Sequence, residues 1–410
     1  MSSMKILFLS NLYPPYVVGG YEMLACDVAQ ALRMRGHKIW VATGQGKAFE
    51  ERDEVRGVFG LDLDRKEETV LGGEKSILHT FSRHLFNLHN YLETWRLLES
   101  LKPDLVSVWS LYLLSISPLT AIRGKGVPCV VHLCDRWLLY YTKKIRSLFD
   151  PPGWAISQTL TLVENLLQPI LYRTSLPPVL VVPSLALRDE YLAHGFPAEI
   201  FVRLPHGIPV SQFPFQRQAD RSDPIRLLYV GQLWEGKGPQ ILLQALGLLA
   251  REHRVPFHLD IYGDGVAHFK RYLGQLIDHE GLGANVAFCG TVPRHDLPAI
   301  YQSHDIFIFP SIWFEPFALA VLEAMCSGMA IVATSSGGTA EAIRDGDTGL
   351  LVPPGDVHAL AAAILRLTED ADLRQRLGAR AAQVARESYD FDNYVGQIDQ
   401  LYHRIGTVQE

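Results

Sequence analysis

Short apolar segments alternate with longer helix-like stretches along the chain, and this alternation limits the folds open to it. In the first half, strand patterns cover residues 5–10, 105–109, 128–133 and 179–182, and a helical pattern covers 21–35. Strands that alternate with helices build mostly parallel sheets with helices on both faces. The first half is therefore predicted to be a doubly wound α/β domain.

A second cycle of the same alternation begins at Ile225. Strand patterns cover 226–230, 257–262, 286–288, 305–309, 331–333 and 349–352, and helical patterns cover 239–251 and 318–325. Residues 208–224 are polar, contain proline and lack periodicity, which is typical of a linker. We predict two Rossmann-like domains, 1–207 and 225–390, with ligands at the carboxyl ends of the strands. The charged run 61–68 is interpreted as a solvated loop.

The bulk composition excludes several classes of protein. A chain of 410 residues with 48% hydrophobic residues is long enough for two or three domains, each with its own core. A formal net charge of −6 argues against general nucleic-acid binding, which requires a basic surface. The five cysteines form no C-x-x-C pair, a usage typical of reduced thiols in the cytosol.

The sequence favours a soluble, cytoplasmic protein. Residues 1–15 begin a strand and lack the small-residue cleavage site of a signal peptide. No segment reaches the roughly 18 apolar residues of a membrane span, the longest candidate being 156–171. Residues 140–172 combine basic residues with aromatics and leucines, so they form either a peripheral membrane contact, an acceptor pocket or a helical hairpin of the first domain.

Two acidic residues flank the start of the helix predicted over 318–325. Glu315 lies just before this helix, and Glu323 lies about two turns further along. A helix that begins at the end of a strand directs its unpaired N–H groups and positive dipole end toward a ligand, which favours phosphate. Both acids can face such a ligand, although acids near a helix start also occur merely to complement the dipole.

The surroundings of this pair resemble the E-x7-E signature of the retaining glycosyltransferases of family 4, which have the GT-B fold. The resemblance includes Pro310 and Ser311 before the pair and the glycines Gly337 and Gly338 after it. It covers nearly the whole chain. It implies two Rossmann-like domains that face each other across a cleft, with residues 391–410 packing back on the first domain.

The resemblance also assigns roles around the helix start. It implies that Glu315 contacts hydroxyls of the donor sugar and that Glu323 holds the ribose hydroxyls of the nucleotide. The backbone amides of Phe317, Ala318 and Leu319 would meet the sugar and the distal phosphate. Many members of the family have glycine at the position of Ala318, but a backbone amide is available in either case.

Two further segments resemble nucleotide-binding parts of the family. The segment 229–238 corresponds to the one in which an arginine and a lysine clamp the diphosphate. Lys237 is present and follows Gly231, but Gln232 replaces the arginine and supplies only a neutral donor. The loop that reads the nucleotide base would contain the residues Thr291, Val292 and Arg294.

The glycines Gly19 and Gly20 follow the first strand. Such a pair lets a backbone approach a phosphate or sugar closely, or it forms only a turn. It is not a G-x-G-x-x-G motif, so a dinucleotide-dependent dehydrogenase has little support. The resemblance implies a glycine-rich loop that faces the cleft and the acceptor.

A segment around the predicted strand 128–133 departs from the family pattern. Cys134 stands where the family commonly has a histidine beside the acceptor and the anomeric centre. His132 lies on the same face of the strand, roughly 7 Å deeper. Either residue replaces the usual histidine, or both simply pack in the core. Asp135, at the mouth of the loop, is predicted to be functional.

Three residues near the domain junction match the family more weakly. Ser184 corresponds to a serine at a strand end, and Gly207 is expected to permit a turn. His206 either has a structural role or lines the cleft.

The sequence therefore predicts a metal-independent, retaining hexosyltransferase that uses a UDP- or GDP-sugar as co-substrate, with no other cofactor. The candidate catalytic residues are Glu315, Lys237, His132, Cys134 and Asp135. No metal site is predicted, because the Asp-x-Asp matches 62–64 and 345–347 lie in a charged loop and a turn. The acceptor is a sugar, a lipid-linked molecule or a small molecule. Alternatives are a disaccharide phosphorylase on the same fold and a catalytically weak nucleotide-sugar-binding protein.

Overall fold

The computed structural model describes residues 2–49, 54–63, 86–139, 179–215, 224–253 and 256–407. The chain divides into two compact units. The N-terminal unit comprises Met1–Val182, Leu187–Leu204 and Val395–Glu410, and the C-terminal unit comprises Pro183–Ala186 and Pro205–Tyr394. The unit divisions thus lie a few residues from the sequence-derived boundaries at 207 and 390.

The N-terminal unit is built on a seven-stranded parallel sheet with strand order β3-β2-β1-β4-β5-β6-β7. Its strands are β1 (Lys5–Ser10), β2 (Lys38–Gln45), β3 (Val55–Asp62), β4 (Leu105–Ser110), β5 (Cys129–His132), β6 (Val179–Val182) and β7 (Phe201–Arg203). The helices in the described residues of this half are α1 (Gly20–Met34), α2 (Leu88–Leu101), α3 (Ser117–Lys125) and α4 (Leu185–Leu192). The interior strand β1 is buried along almost its whole length, as expected for a parallel strand covered on both faces.

The C-terminal unit is built on a six-stranded parallel sheet with strand order β10-β9-β8-β11-β12-β13. Its strands are β8 (Ile225–Val230), β9 (Phe257–Tyr262), β10 (Val286–Gly290), β11 (Ile306–Phe309), β12 (Ala330–Thr334) and β13 (Leu350–Val352). Neighbouring residues of β8 belong to different hydrophobic clusters, Leu227 and Tyr229 to one and Leu228 to the other. Since side chains alternate across a strand, each face of the sheet carries its own core.

The helices of the C-terminal half have clear start and stop signals. They are α5 (Pro239–Glu252), α6 (Ala267–Glu280), α7 (Leu297–Gln302), α8 (Leu319–Ser327), α9 (Thr339–Ala342), α10 (Val357–Glu369), α11 (Ala371–Ser388) and α12 (Phe391–Gly406). The Asp356 and Asp370 side chains cap α10 and α11, each accepting a bond from a first-turn amide. Gly328 ends α8 in a left-handed conformation, with φ of 76°.

The predicted fold class is confirmed: both units are α/β with parallel sheets. From Val395 onward, α12 belongs to the N-terminal unit. There the Tyr402 hydroxyl lies 2.5 Å from Ser107 Oγ on β4. Among the helices of the described ranges, none has the length and apolarity that a membrane span requires.

Two segments differ from the sequence-based interpretation. The start of the charged run 61–68 is not a solvated loop, because Leu61 lies in β3 and is 2% exposed. In the predicted linker 208–224, Ile208 and Phe213 are each 1% exposed and belong to a core cluster of the C-terminal unit. The candidate segments 156–171 and 140–172 lie outside the described residues.

Candidate functional site

Two loops at the carboxyl end of the C-terminal sheet bring Lys237 and Glu315 together. One loop follows β8 and the other follows β11, and these strands are neighbours in the sheet. Lys237 Nζ lies 2.7 Å from Glu315 Oε1, and Ser311 Oγ donates to the same oxygen at 2.6 Å. Glu315 is 4% exposed, so the ammonium and the hydroxyl hold a buried carboxylate in one position.

Backbone hydrogen bonds fasten the same two loops to each other. Gly236 O accepts bonds from the amides of Ile312 and Trp313, both at 2.9 Å. A Cβ on Gly236 would lie 2.1 Å from the Trp234 ring, so glycine is the residue that fits beneath it. The Lys237 loop therefore cannot shift without moving the backbone that leads to Glu315.

The glycines Gly337 and Gly338 support Glu315 from the other side. Gly338 N donates to Glu315 O at 2.7 Å. Gly337 has φ of 53°, and a Cβ there would lie 2.3 Å from Glu315 O. This pair is thus required by the close approach of the loop that carries Glu315.

The close approach at Gly337 leads to a testable prediction. Gly337→Ala combines a left-handed backbone with a clash against Glu315 O, so we expect it to lower the free energy of unfolding by about 2–4 kcal/mol. Gly346→Ala is the matched control, because Gly346 has φ of 72° with no atom within 4 Å of the added Cβ. Urea unfolding of both variants measures the difference, and equal losses would contradict the account.

Glu323 lies inside α8 and is 7% exposed. Tyr301 OH donates to its Oε2 at 2.9 Å. Burial raises the pKa of the Glu323 carboxyl to about 7, although the Tyr301 bond and the charge of Arg294 act in the opposite direction. Arg294 belongs to the segment predicted to read the base, and its positive charge favours the ionised Glu323 carboxylate. In the same segment, Thr291 is exposed and Val292 is half-buried.

The start of α8 offers donors for an anion. The helix begins at Leu319, and Ala318 at the N-cap is extended, with no side-chain bond to the first turn. The unpaired amides at such a start favour negatively charged ligands. Phe317, whose amide was predicted to join them, is itself 4% exposed and packs its ring into the core.

Gly231 and Gln232 lie in a loop that is bonded to the end of β9, to the residues that follow it, and to Tyr229 of β8. Gly231 N donates to Tyr262 O at 3.0 Å, and Leu233 N donates to Asp264 O at 2.8 Å. The Gln232 carbonyl accepts a bond from Tyr229 OH at 2.9 Å. Hydrogen bonds to backbone atoms therefore fix the position of this loop. The Gln232 side chain itself carries no charge.

In the N-terminal unit, Gly19 and Gly20 form the start of α1. Gly19 is the N-cap, and its amide donates to Glu22 Oε2 at 2.9 Å. Glu22 is 9% exposed, and burial raises the pKa of its carboxyl. Sequence reasoning missed Glu22, although the spacing from the N-cap to a glutamate three residues later is a known capping signal.

The His132 ring is packed in the interior of the N-terminal unit. It is 1% exposed, stacks on Trp109 with ring centroids 4.3 Å apart, and its Nε2 lies 2.8 Å from Tyr402 OH. Of the two alternatives that the sequence left open, this geometry favours the packed one over a catalytic histidine. Cys134 is half-buried and Asp135 is exposed, with Asp135 Oδ1 accepting a bond from Trp137 N at 2.7 Å. Their catalytic roles stay predictions.

The residues near the junction, Ser184, His206 and Gly207, all lie in the C-terminal unit. His206 is 5% exposed, and burial lowers the pKa of its imidazole to about 4, so the ring is neutral near pH 7. A Cβ on Gly207 would lie 2.5 Å from the Tyr394 Cβ, and one on Gly338 would lie 2.7 Å from the Ser184 Cβ. The two glycines therefore allow close packing against Tyr394 and Ser184.

No group of three or more His, Cys, Asp or Glu residues within the described ranges is arranged to hold a metal ion. The Asp345 and Asp347 pair lies in a turn around Gly346, where Asp345 pairs with Gly349.

Two protein-family models match the chain and together cover most of it. The model described as "Glycosyltransferase Family 4" matches residues 18–212, and the model described as "Glycosyl transferases group 1" matches residues 211–384. The chain is 28% identical over 417 residues to the glycogen synthase of Mycobacterium tuberculosis, covering 97% of this chain and 94% of the relative. It is 30% identical over 253 residues to a phosphatidyl-myo-inositol mannosyltransferase of Mycolicibacterium smegmatis, covering 61% and 62%.

Solved structures resemble the whole chain. The Anabaena protein HepE in complex with UDP-glucose has a TM-score of 0.71 and 23% identity, covering 98% of this chain and 100% of that one. A glycosyltransferase from Rickettsia africae has a TM-score of 0.72 and 18% identity, covering 100% of both chains. At these identities the structural likeness establishes the fold.

Proposed function

The chain belongs to the family 4 glycosyltransferases with the GT-B fold, and on this premise we propose that it transfers a hexose from a UDP- or GDP-sugar to a hydroxyl acceptor with retention of configuration. One observation carries the proposal. A lysine and a buried glutamate are paired beside the start of a helix that contains a second buried glutamate. The cation and the helix start suit the diphosphate of a nucleotide sugar, Glu315 suits its sugar, and Glu323 suits its ribose.

Lys237 and the start of α8 would hold the diphosphate. An ammonium group has three N–H donors, so Lys237 can keep its bond to Glu315 and still donate to a phosphate oxygen. Unpaired amides at the helix start add neutral donors without a charge of their own. The sugar would then lie against Glu315, whose carboxylate accepts hydrogen bonds from its hydroxyls.

The proposed reaction is a front-face displacement. The bond between the anomeric carbon and the β-phosphate oxygen breaks, and the acceptor oxygen forms its bond to that carbon on the same face. The acceptor proton passes to the departing phosphate oxygen, so the step needs no enzymic nucleophile and no metal ion. Lys237 contributes by stabilising the negative charge that accumulates on the leaving diphosphate.

The donor preference and the acceptor are also part of the proposal. The relatives include a glycogen synthase and a phosphatidyl-myo-inositol mannosyltransferase, and these names span a polysaccharide and a lipid acceptor. We therefore propose a sugar, lipid-linked or small-molecule hydroxyl as the acceptor. A screen of UDP- and GDP-hexoses by thermal shift, followed by assay of nucleoside-diphosphate release, tests the donor. Absence of both stabilisation and release across the panel would contradict the proposal.

A disaccharide phosphorylase is the second candidate, and Gln232 is the observation that favours it. A neutral amide stabilises a departing diphosphate less than the guanidinium that the family commonly has there. Incubation of a disaccharide panel with inorganic phosphate distinguishes the two. Production of a sugar phosphate without any nucleotide would support the phosphorylase.

The raised pKa of Glu323 predicts how donor binding depends on pH. If the ionised carboxylate accepts bonds from the ribose, protonation near pH 7 removes the acceptor. Between pH 8 and pH 6, we therefore expect the affinity for a nucleotide sugar to fall about tenfold. Calorimetric titration with UDP-glucose or GDP-mannose measures this, because their diphosphates do not themselves titrate in this range. An affinity that is constant from pH 6 to 8 would contradict the assignment.

A further inference from the structure

Tyr301 is a fully buried phenol in contact with the Glu323 carboxylate. It lies on α7, is 0% exposed, and donates to Glu323 Oε2 at 2.9 Å. Its hydroxyl also lies 3.3 Å from Ala320 O. A hydroxyl has a single proton, and the shorter contact to the charged acceptor is the stronger one. The phenol therefore donates to the carboxylate.

Aromatic packing holds the Tyr301 ring in place. The ring meets the edge of Phe213 at 6.0 Å between centroids and lies 5.7 Å from the Phe307 ring on β11. Both partners are 1% exposed or less. A ring confined in this way cannot follow the carboxylate if it moves, so its hydroxyl defines where Oε2 must lie.

We propose that Tyr301 is a positioning residue for the donor nucleotide: its hydroxyl orients and stabilises the Glu323 carboxylate that accepts hydrogen bonds from the ribose. The proposal rests on the proposed function of Glu323 in nucleotide binding. In this arrangement Tyr301 does not itself contact the ligand. The effect passes entirely through Oε2 of Glu323.

The charges around Glu323 make this bond consequential. Burial favours the protonated acid, and the described groups that favour the carboxylate are Tyr301 and Arg294. Cys326, one turn further along α8, stays neutral because burial raises the pKa of its thiol to about 12. Since the carboxyl titrates close to pH 7, loss of one charge-stabilising bond shifts a large fraction of the protein to the acid form.

The position of Tyr301 also links two parts of the nucleotide site. The segment with Thr291, Val292 and Arg294 leads directly into α7, and Tyr301 stands near the end of this helix. The residues proposed at the base and the donor to the ribose-binding acid therefore belong to one continuous stretch of chain.

The direct test is the variant Tyr301→Phe, which keeps the ring and removes the hydroxyl. Calorimetry with UDP-glucose and GDP-mannose from pH 6 to 9 gives the dissociation constant and the midpoint of its pH dependence. At pH 7 we expect binding about fivefold weaker than wild type, with the midpoint about one pH unit higher. At pH 9, where the carboxyl is ionised in both proteins, the difference should shrink to the smaller loss that follows from the missing orienting bond.

A matched control is Tyr402→Phe, which removes a fully buried hydroxyl in the N-terminal unit. Its midpoint should equal that of the wild type. A Tyr301→Phe midpoint equal to the wild-type one, whether affinity is unchanged or uniformly weakened at every pH, would overturn the proposal. If the wild type binds neither nucleotide sugar at any pH, the proposed function fails and takes this inference with it.

A second substitution changes the acidity of the phenol and leaves the fold intact. Incorporation of 3-fluorotyrosine at position 301 makes the hydroxyl a stronger donor with nearly the same shape. The midpoint of nucleotide-sugar binding should then move to lower pH, opposite in sign to the effect of Tyr301→Phe. An unchanged midpoint in the fluorinated protein would also overturn the proposal.

Discussion

Glu323→Gln is expected to weaken nucleotide-sugar binding about 100-fold at pH 8 while making the free protein more stable. The binding loss follows because a neutral amide replaces a carboxylate that would accept two hydrogen bonds from the ribose, and bonds to charged groups contribute about 1.5–3 kcal/mol each. The amide oxygen can still accept the bond from Tyr301, so the local packing is retained.

The stability gain follows from the sign of the pKa shift. Glu323 titrates at about 7 in the folded protein and at an ordinary 4.5 when unfolded, so unfolding releases a proton between these values. The folded state is therefore penalised progressively as pH rises from 4.5 to 7, reaching about 3 kcal/mol above pH 7. Glutamine removes this penalty at pH 8 and changes little at pH 4.5.

Two measurements on one variant test this prediction together. Calorimetry gives the loss of affinity, and urea unfolding at pH 8 and pH 4.5 gives the change in the free energy of unfolding. We expect weaker binding with higher stability at pH 8 alone. Retained binding would contradict a role of the Glu323 carboxylate in binding the nucleotide sugar. A loss of stability at pH 8 would contradict the cost of burying that carboxylate in the free protein.

Lys237→Gln is expected to lower kcat by about 10²- to 10³-fold, with a smaller effect on donor affinity. The lysine would counter charge that is greatest on the leaving diphosphate in the transition state, so its removal affects turnover more than binding. Gln232 places no second cation in the same loop, which increases the share of stabilisation that falls to Lys237. Initial rates over a range of donor concentrations separate kcat from KM.

The controls for Lys237→Gln must separate the loss of the lysine charge from the effect on its buried partner Glu315. Removing Lys237 leaves Glu315, whose side chain is 6% exposed, with Ser311 as its remaining described donor. Some loss of stability is therefore expected, and thermal melting measures it. Lys125→Gln removes a lysine that pairs with Glu99 in the N-terminal unit, at a similar side-chain exposure of 24% against 23%. Equal kinetic losses in both variants would contradict a specific role for Lys237.

Most of the strands that were predictable from the sequence are buried on both faces. β6 and β11 read as unbroken apolar runs, and β1 nearly so, because neighbouring strands and helices cover them. β3 was missed because its sequence, VRGVFGLD, contains two glycines and two charged residues. Its place at the edge of the sheet tolerates these residues, but that place is a property of the whole fold.

Some features of the candidate site can also be recognised from neighbouring residues in the sequence, whereas others depend on contacts between distant elements. Glu315 and Glu323 could be recognised because their spacing relative to one strand and one helix is local. The Tyr301 bond to Glu323 and the Gly236 bonds to the Glu315 loop join different elements, and residue types alone do not predict them. Strand alternation placed His132 on the face of Cys134, but its contact with Tyr402 of the last helix is not visible in the local sequence.

The anomeric configuration of the first-formed product tests the central claim most directly. Proton NMR of the enzyme with a UDP- or GDP-α-hexose, in buffer with EDTA and water as the default acceptor, reports the released hexose before it mutarotates. The account predicts the α anomer, formed together with an equal amount of nucleoside diphosphate. The β anomer as first product, or release that stops when EDTA is added, would contradict a metal-independent, retaining transferase.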